Sequence, residues 1–243
     1  MIQIFTAIKG HEHNFIIGRS IRNKNGGVEV KISDANFDIV MGTATAAMPA
    51  WMFKKYPDIA RVDYQGRRHV FGQRHNFCPN SKNYQRLDSE LVEKLAQHYA
   101  DNPHIVVWHV NNEYGGNCYC GNCQNAFRDW LRNKYKTLGA LNKAWNMNVW
   151  SNTIYDWDEI VVPNELGDAW GPESSETIVA GLSIDYLRFQ SESLQNLFKM
   201  EKAVIKKYDP ETPVTTNFHS LPNKMIDYQK WAKDQDIISY DSY

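Results

Sequence analysis

One short segment of the chain places a carboxylic acid and an amide directly after an apolar run. Residues 105–110 form a continuous β-branched and aromatic run, and Asn112 and Glu113 follow it. A run of this kind is typical of a strand that is covered on both faces. Desolvation at the end of such a strand can raise the pKa of a carboxyl group, as a general acid requires. The neighbouring amide can bind a sugar hydroxyl. The segment therefore suits glycoside chemistry, and the alternative interpretation is a strand that simply ends in a polar turn.

The cysteines have a spacing that suits a metal ion. Cys118, Cys120 and Cys123 lie within one short stretch, and Cys78 lies some forty residues earlier. Three thiolates this close in sequence can wrap one tetrahedral ion, and a fourth closes the site without leaving an open position. The spacing predicts a structural zinc site, with reduced and unliganded cysteines as the alternative. His75 is a second candidate ligand from the segment that carries Cys78.

Composition excludes some classes of partner. The chain has 243 residues, with 27 basic and 28 acidic side chains and a net charge of −1. Because no block of like charges stands out, we expect neither nucleic-acid nor membrane binding. The first residues lack a secretory signal pattern, and no apolar stretch approaches the ~18 residues of a membrane span. We therefore expect a cytoplasmic protein, whose reducing surroundings favour metal binding by cysteines over disulfides.

Strand-like and helix-like segments alternate from about Phe37 onward. Alternation of this kind predicts an α/β fold with parallel strands joined by right-handed crossovers. We expect four strands, at residues 37–45, 105–110, 214–218 and 237–240, and helices at 84–99, 127–135, 184–208 and 228–231. Residues 142–181 lack clean periodicity, which predicts a long loop or subdomain. Residues 23–27 give a turn signal that hints at a hairpin within an otherwise unassigned segment, residues 1–36.

Several segments together resemble glycoside hydrolase family 42, the β-galactosidases built on (β/α)8 barrels. The resemblance is carried by residues 42–51, by the Asn112-Glu113 strand end, by residues 74–81 and by residues 238–243. It implies that residues 37–243 form a truncated TIM-barrel catalytic domain, comprising about strands three to six with a long rim loop. The family places sugar-contacting aromatic residues in the region of Trp145 and Trp150.

The resemblance also implies roles for individual residues. Glu113 corresponds to the acid/base of a retaining β-galactosidase, Asn112 to the residue that binds the substrate 2-hydroxyl, and Tyr243 to a tyrosine beside the nucleophile. It supports a structural zinc on Cys78, Cys118, Cys120 and Cys123, and it suggests a homotrimer that acts on β-galactosides. The family's nucleophile is a Glu at the end of strand seven, which would follow Tyr243. We therefore expect the 243-residue chain alone not to be a competent hydrolase.

Two other functions are compatible with the sequence. Another glycosidase of the same clan could act on glucosides, mannosides or xylans, and the shape of the pocket decides between these substrates. A non-enzymatic zinc module that binds protein or nucleic acid would need a basic face with interleaved aromatic residues. The balanced charge gives that second alternative little support.

Overall fold

The computed structural model describes residues 21–22, 28–29, 38–166, 179–219 and 225–242. At the amino-terminal side, strand β1 (Ile21–Arg22) pairs antiparallel with strand β2 (Val28–Glu29). This pairing confirms the predicted hairpin, although its turn lies outside the described residues.

Parallel strands form the centre of the described fold. They are β3 (Ile39–Gly42), β4 (Ile105–His109), β5 (Val214–Thr215), β6 (Asn217–Phe218) and β7 (Ser239–Tyr240). One sheet has the order β3-β4-β5 and a second pairs β6 with β7, all in parallel register. Only Thr216 separates β5 from β6. The four predicted strands are therefore confirmed, with the third interrupted at Thr216.

Helices connect these strands as the alternating pattern predicted. They are α1 (Ala50–Lys55), α2 (Lys82–Tyr99), α3 (Gly121–Tyr135), α4 (Leu138–Trp145), α5 (Ala180–Tyr208) and α6 (Tyr228–Trp231). Ser81 caps α2 by accepting the backbone N–H of Tyr84, which satisfies an otherwise unpaired amide. Helix α5 ends at Tyr208 because the next-but-one residue, Pro210, disfavours helical backbone at Asp209, which has φ −133° and ψ 79°.

The main hydrophobic core lies between the three-stranded sheet and helices α2 and α5. Trp108 on β4 is fully buried there, and its indole N–H donates to Asp209 Oδ2 at 2.8 Å. Phe198 of α5 and Trp231 of α6 pack in the same core. The apolar run of residues 105–110 is therefore covered on both sides, as its composition predicted.

A second core surrounds the cysteines. Phe127 of α3, Leu141 of α4 and Tyr186 of α5 pack around them. Trp145 is also buried here, and its indole N–H donates to Asp185 Oδ2 at 3.0 Å. The prediction of an irregular segment over residues 142–181 is wrong at both ends, because α4 extends to Trp145 and α5 begins at Ala180.

Within the described ranges, no helix is both long enough and apolar enough to cross a membrane.

Candidate active site

The carboxyl ends of the parallel strands bring polar side chains to one edge of the fold. Glu113 follows β4, His219 follows β6 and Asp241 follows β7. The carboxyl ends of parallel strands lie on the same side of a sheet, which is where barrel enzymes place catalytic groups. This edge is the candidate active site.

Glu113 is buried within a set of charged and polar partners. Its side chain is 4% exposed. Arg74 Nη1 lies 2.6 Å from Oε2, and His219 Nδ1 lies 3.3 Å from Oε1. Asn112 Nδ2 also donates to Oε2, at 3.2 Å. Because Arg74 and His219 are partly exposed, the carboxyl group is fixed in position yet borders the surface from which a ligand would enter.

The backbone around Glu113 adopts an uncommon conformation. Asn111 has φ 56° and Glu113 has φ 45°, in the left-handed region that few non-glycine residues occupy. The Asn111 N–H donates to Thr43 Oγ1 at 3.0 Å, and the Glu113 N–H donates to Asn217 Oδ1 at 3.0 Å. A side chain directly after β3 and another on β6 therefore stabilise this turn and determine where the Glu113 carboxyl group points.

Asn112 is held in place through both its side chain and its backbone carbonyl. Its side-chain Oδ1 accepts a hydrogen bond from Asn217 Nδ2 at 3.2 Å. Its backbone carbonyl accepts one from His75 Nε2 at 2.6 Å. Burial lowers the pKa of His75 to about 4, so that this ring is neutral near pH 7. His75 therefore orients the Asn112 peptide and does not join the cysteines, which corrects its alternative assignment as a metal ligand.

A second carboxyl group contacts Glu113. Burial raises the pKa of Asp241, and a side-chain hydrogen bond and charge repulsion from Glu113 raise it further. Asn217 opposes these effects, since its Nδ2 donates to Asp241 Oδ2 at 2.8 Å. Two carboxyl groups in hydrogen-bond contact can share one proton. Tyr243, the third predicted site residue, lies outside the described residues.

A buried glutamate on α5 contacts residues that lie next to Glu113 in the chain and after strand β3. Glu201 accepts hydrogen bonds from Thr45 Oγ1 at 2.9 and 3.1 Å, and the Tyr114 hydroxyl lies 3.4 Å from its Oε1. Burial raises the pKa of Glu201 to about 7. Burial and the neighbouring Glu201 also raise the pKa of Asp88. Tyr114, the residue after Glu113, therefore contacts a carboxyl group that is partly protonated near neutral pH.

The Glu201→Gln substitution is expected to flatten the pH dependence of stability. The pKa of Glu201 rises from 4.5 to about 7 on folding, so its contribution is fully present below pH 4.5 and is lost as the pH rises through 7. Glutamine removes this loss, which is on the order of 2 kcal/mol in the free energy of unfolding. Urea denaturation at pH 5 and pH 8 measures it, with exposed Glu90→Gln as the control. An equal pH effect in wild type and Glu201→Gln would contradict the assignment.

The four cysteines come together in space as predicted. Their Sγ atoms all lie within 4.8 Å of one another, and all four residues are buried. Cys78 Sγ lies 3.4 Å from Cys120 Sγ and 3.5 Å from Cys123 Sγ. A zinc ion with Zn–S bonds of about 2.3 Å separates tetrahedral thiolates by about 3.8 Å. The cluster therefore has the size and the donor atoms of a closed four-thiolate metal site.

Neighbouring groups hold the cysteine cluster in place. Asn80 Nδ2 lies 3.4 Å from Cys123 Sγ, and the Cys118 N–H donates to Gln190 Oε1 at 3.0 Å. Hydrogen bonds with the other thiols, followed by burial, raise the pKa of Cys78. A bound dication would displace those thiol protons and offset half of the thiolates' negative charge. The donor set and its surroundings thus fit a structural metal ion.

Sequence reasoning overlooked several side chains that reach Glu113. Arg74 and Asp241 lie in segments that carry the family resemblance but received no role, while Asn217 and His219 were not identified. Asn217 and His219 are two residues apart, and that spacing puts side chains on one face of a strand. This alternation at a strand end is the signal that could have identified both residues.

The two tryptophans of the predicted rim differ in environment. Trp145 is buried against Asp185, whereas Trp150 is 77% exposed and has φ 50°. Trp145 therefore packs the second core and is not available to a sugar at the surface.

Comparison with known proteins places this geometry in a family. Residues 28–243 match the family model of glycoside hydrolase family 42, described as beta-galactosidase. The beta-galactosidase LacZ of Lactobacillus acidophilus is 86% identical over 213 residues, which are 88% of this chain and 32% of that protein. The beta-galactosidase BgaP of Planococcus sp. is 52% identical over 84% of this chain and 30% of its own length. The chain thus spans about a third of these relatives.

A solved structure shows the same backbone arrangement. The beta-galactosidase from Bacillus circulans sp. alkalophilus superposes with a TM-score of 0.81 at 53% sequence identity, over 86% of this chain and 30% of that one. The family match covers most of the chain and includes every residue of the candidate site described above. The chain therefore belongs to glycoside hydrolase family 42.

Proposed function

We propose that the protein is a retaining β-galactosidase and that Glu113 is its general acid/base. The observation that carries the proposal is the placement of Glu113, which is buried at the end of a parallel strand with Arg74 and His219 beside its carboxyl group. Names of the relatives support the activity, since the two relatives described above are called beta-galactosidases.

The proposed architecture is part of a (β/α)8 barrel. The parallel strands follow one another in chain order, as neighbouring barrel strands do. For this comparison β5 and β6 count as one strand that is interrupted at Thr216, so that the order is β3, β4, β5 with β6, and β7. They correspond to strands three to six in the family resemblance, with residues 142–181 contributing to the rim. Helices α2 and α5 pack against the sheet as barrel helices would.

In the proposed reaction, Glu113 donates a proton to the glycosidic oxygen as the aglycone leaves. It then removes a proton from the water that releases galactose. Asn112 binds the 2-hydroxyl group of the sugar, and Tyr243 takes the role of the family's tyrosine beside the nucleophile. The nucleophile of a retaining enzyme stands about 5 to 5.5 Å from the acid. In the family resemblance that nucleophile is a Glu at the end of the seventh barrel strand, and Asp241 is not assigned that role.

Zinc is the proposed metal, and its role is structural. Four thiolates leave no position for water or substrate, so the ion would stabilise the fold without entering the reaction. Cys118 follows Glu113 by five residues, and Cys120 precedes α3 directly. The ion would therefore tie the loop after Glu113 to α3 and to the segment that carries Arg74.

The proposal includes a cytoplasmic location and a homotrimeric assembly. All four cysteines are free of disulfides, which suits the reducing cytoplasm. The resemblance to family 42 suggests a homotrimer, and sedimentation equilibrium of the purified protein would measure its mass.

A panel of nitrophenyl glycosides tests the proposed substrate class. The enzyme assayed is the longest product of the gene that encodes these 243 residues, and the 243-residue chain alone is assayed beside it. We expect the long product to hydrolyse the β-galactoside at least tenfold faster than the β-glucoside, β-mannoside or β-xyloside, and the short chain to be inactive. A faster rate on another sugar would indicate a different glycosidase. No hydrolysis together with salt-dependent DNA binding would indicate a zinc-stabilised binding module.

A further inference from the structure

We propose that Asn217 is a positioning residue for the acid/base, which sets the backbone of Glu113 and orients the Asn112 side chain beside it. This inference rests on the proposed function of Glu113. Asn217 itself lies on β6, more than one hundred residues further along the chain.

The side chain of Asn217 uses both ends of its amide. Its Oδ1 accepts the N–H of Glu113 at 3.0 Å and His109 Nε2 at 3.0 Å. Its Nδ2 donates to Asn112 Oδ1 at 3.2 Å and to Asp241 Oδ2 at 2.8 Å. A primary amide has two donor hydrogens and an oxygen with two acceptor positions, so all four are occupied. With 3% exposure, Asn217 has little access to water that could replace these partners.

The partners also define which end of the amide is oxygen. The Glu113 backbone N–H can only donate, and the Asp241 carboxylate accepts from Nδ2. Burial lowers the pKa of His109, which keeps its ring neutral with one N–H directed at Asn217 Oδ1. The orientation of Asn217 is therefore fixed by residues on or directly after two other strands, β4 and β7.

Two consequences follow for the acid/base. The bond to the Glu113 N–H stabilises a backbone with φ 45°, a conformation that non-glycine residues otherwise seldom adopt. The bonds to Asn112 Oδ1 and Asp241 Oδ2 fix two side chains that interact with the Glu113 carboxyl group.

Other titratable groups surround the same pair. Arg74 and His219 face Glu113, and His219 also lowers the pKa of Asp241. Asn217 differs from them because it contacts the two carboxyl-bearing residues in different ways. Its oxygen accepts from the Glu113 backbone, and its nitrogen donates to the Asp241 side chain.

Two substitutions separate these functions, and a third provides the control. Asn217→Ala removes the acceptor and the donors. Asn217→Asp keeps an oxygen for the Glu113 N–H but replaces the donor with a further negative charge beside Asp241. Thr216→Val changes the adjacent buried residue, whose hydroxyl has no hydrogen-bond partner in the described structure.

We expect Asn217→Ala to lower kcat by roughly 10²-fold, with KM within about threefold of wild type, because the bound sugar no longer meets a correctly placed acid. Asn217→Asp is expected to retain more activity than Asn217→Ala. Its pH profile of kcat/KM should move to higher pH by about one unit, since added negative charge holds protons more tightly. Thr216→Val should match wild type in kcat, in KM and in the pH profile of kcat/KM.

A wild-type rate and pH profile in Asn217→Ala would overturn the inference. A rate loss that only follows the fraction of unfolded protein would do so too. The crystal structure of Asn217→Ala provides a readout that does not depend on activity: Glu113 should leave its left-handed backbone conformation and Asn112 should turn. If neither residue moves, Asn217 is not a positioning residue, whatever the enzyme hydrolyses. If both move but wild type fails to act on any galactoside, only the proposed function is refuted.

Discussion

Replacing Glu113 by glutamine is expected to slow the hydrolysis of lactose by roughly 10²- to 10⁴-fold, because general acid catalysis contributes about that much. Glutamine keeps the size of the side chain, and its amide can still contact His219 and Asn112. KM should therefore change little while kcat falls. Steady-state kinetics of lactose hydrolysis over pH 4 to 9 give both quantities, and the variant should also lose the alkaline limb of the profile.

The leaving group distinguishes an acid/base from other kinds of active-site carboxylate. A dinitrophenolate leaves without protonation, so the Glu113→Gln variant should form the glycosyl-enzyme from a dinitrophenyl galactoside nearly as fast as wild type. Presteady-state bursts measure that step. Glu90→Gln, on the exposed face of α2, is the matched control and should behave as wild type. Equal losses on lactose and on the dinitrophenyl galactoside would mean that Glu113 is not the acid.

Removing the metal is expected to have the largest effect on stability. A structural zinc in four-thiolate sites contributes on the order of 10 kcal/mol to folding. Its loss would leave four buried thiols in the second core, next to Phe127 and Tyr186. We expect purified protein to contain one zinc per chain and to show no reactive thiol. After chelation, all four cysteines should react with a thiol reagent, and Tm should fall by more than ten degrees.

Cys78→Ser tests the ligand that is distant in sequence. It should bind zinc more weakly and lose activity on chelation at lower chelator concentrations. Asn122→Ala is the control, because Asn122 lies in the first turn of α3 next to Cys123 but contributes no ligand. Full stability of the chelated protein, or thiols that react before chelation, would contradict a structural zinc site.

Much of the fold could be predicted from local patterns. The apolar run at residues 105–110 gave β4 because its side chains are buried on both faces. The helical spacing in residues 84–99 and 184–208 gave α2 and α5, and Pro210 marked the end of α5. Each of these signals lies within one element, so no knowledge of tertiary contacts was needed.

The network around Glu113 could not be predicted in the same way. Asn217 and Glu201 reach the site from elements about ninety or more residues away, and neither has a local signature that differs from an ordinary polar residue. The left-handed backbone at Glu113 depends on acceptors from other strands, whereas sequence alone would favour such a conformation at glycine. The positions of Glu113 and of the four cysteines were predicted, but the partners that hold them were not.

Azide rescue of Glu113→Ala tests the central claim most directly. Removing an acid/base opens space on the face of the sugar from which water attacks the glycosyl-enzyme, and azide can enter there without needing a base. If Glu113 is the acid/base of a retaining enzyme, azide will restore turnover of an activated galactoside and the product will be β-galactosyl azide, which NMR identifies by its anomeric coupling. An α-galactosyl azide would mean that Glu113 is the nucleophile, and an absence of any rescue would contradict its role in the reaction.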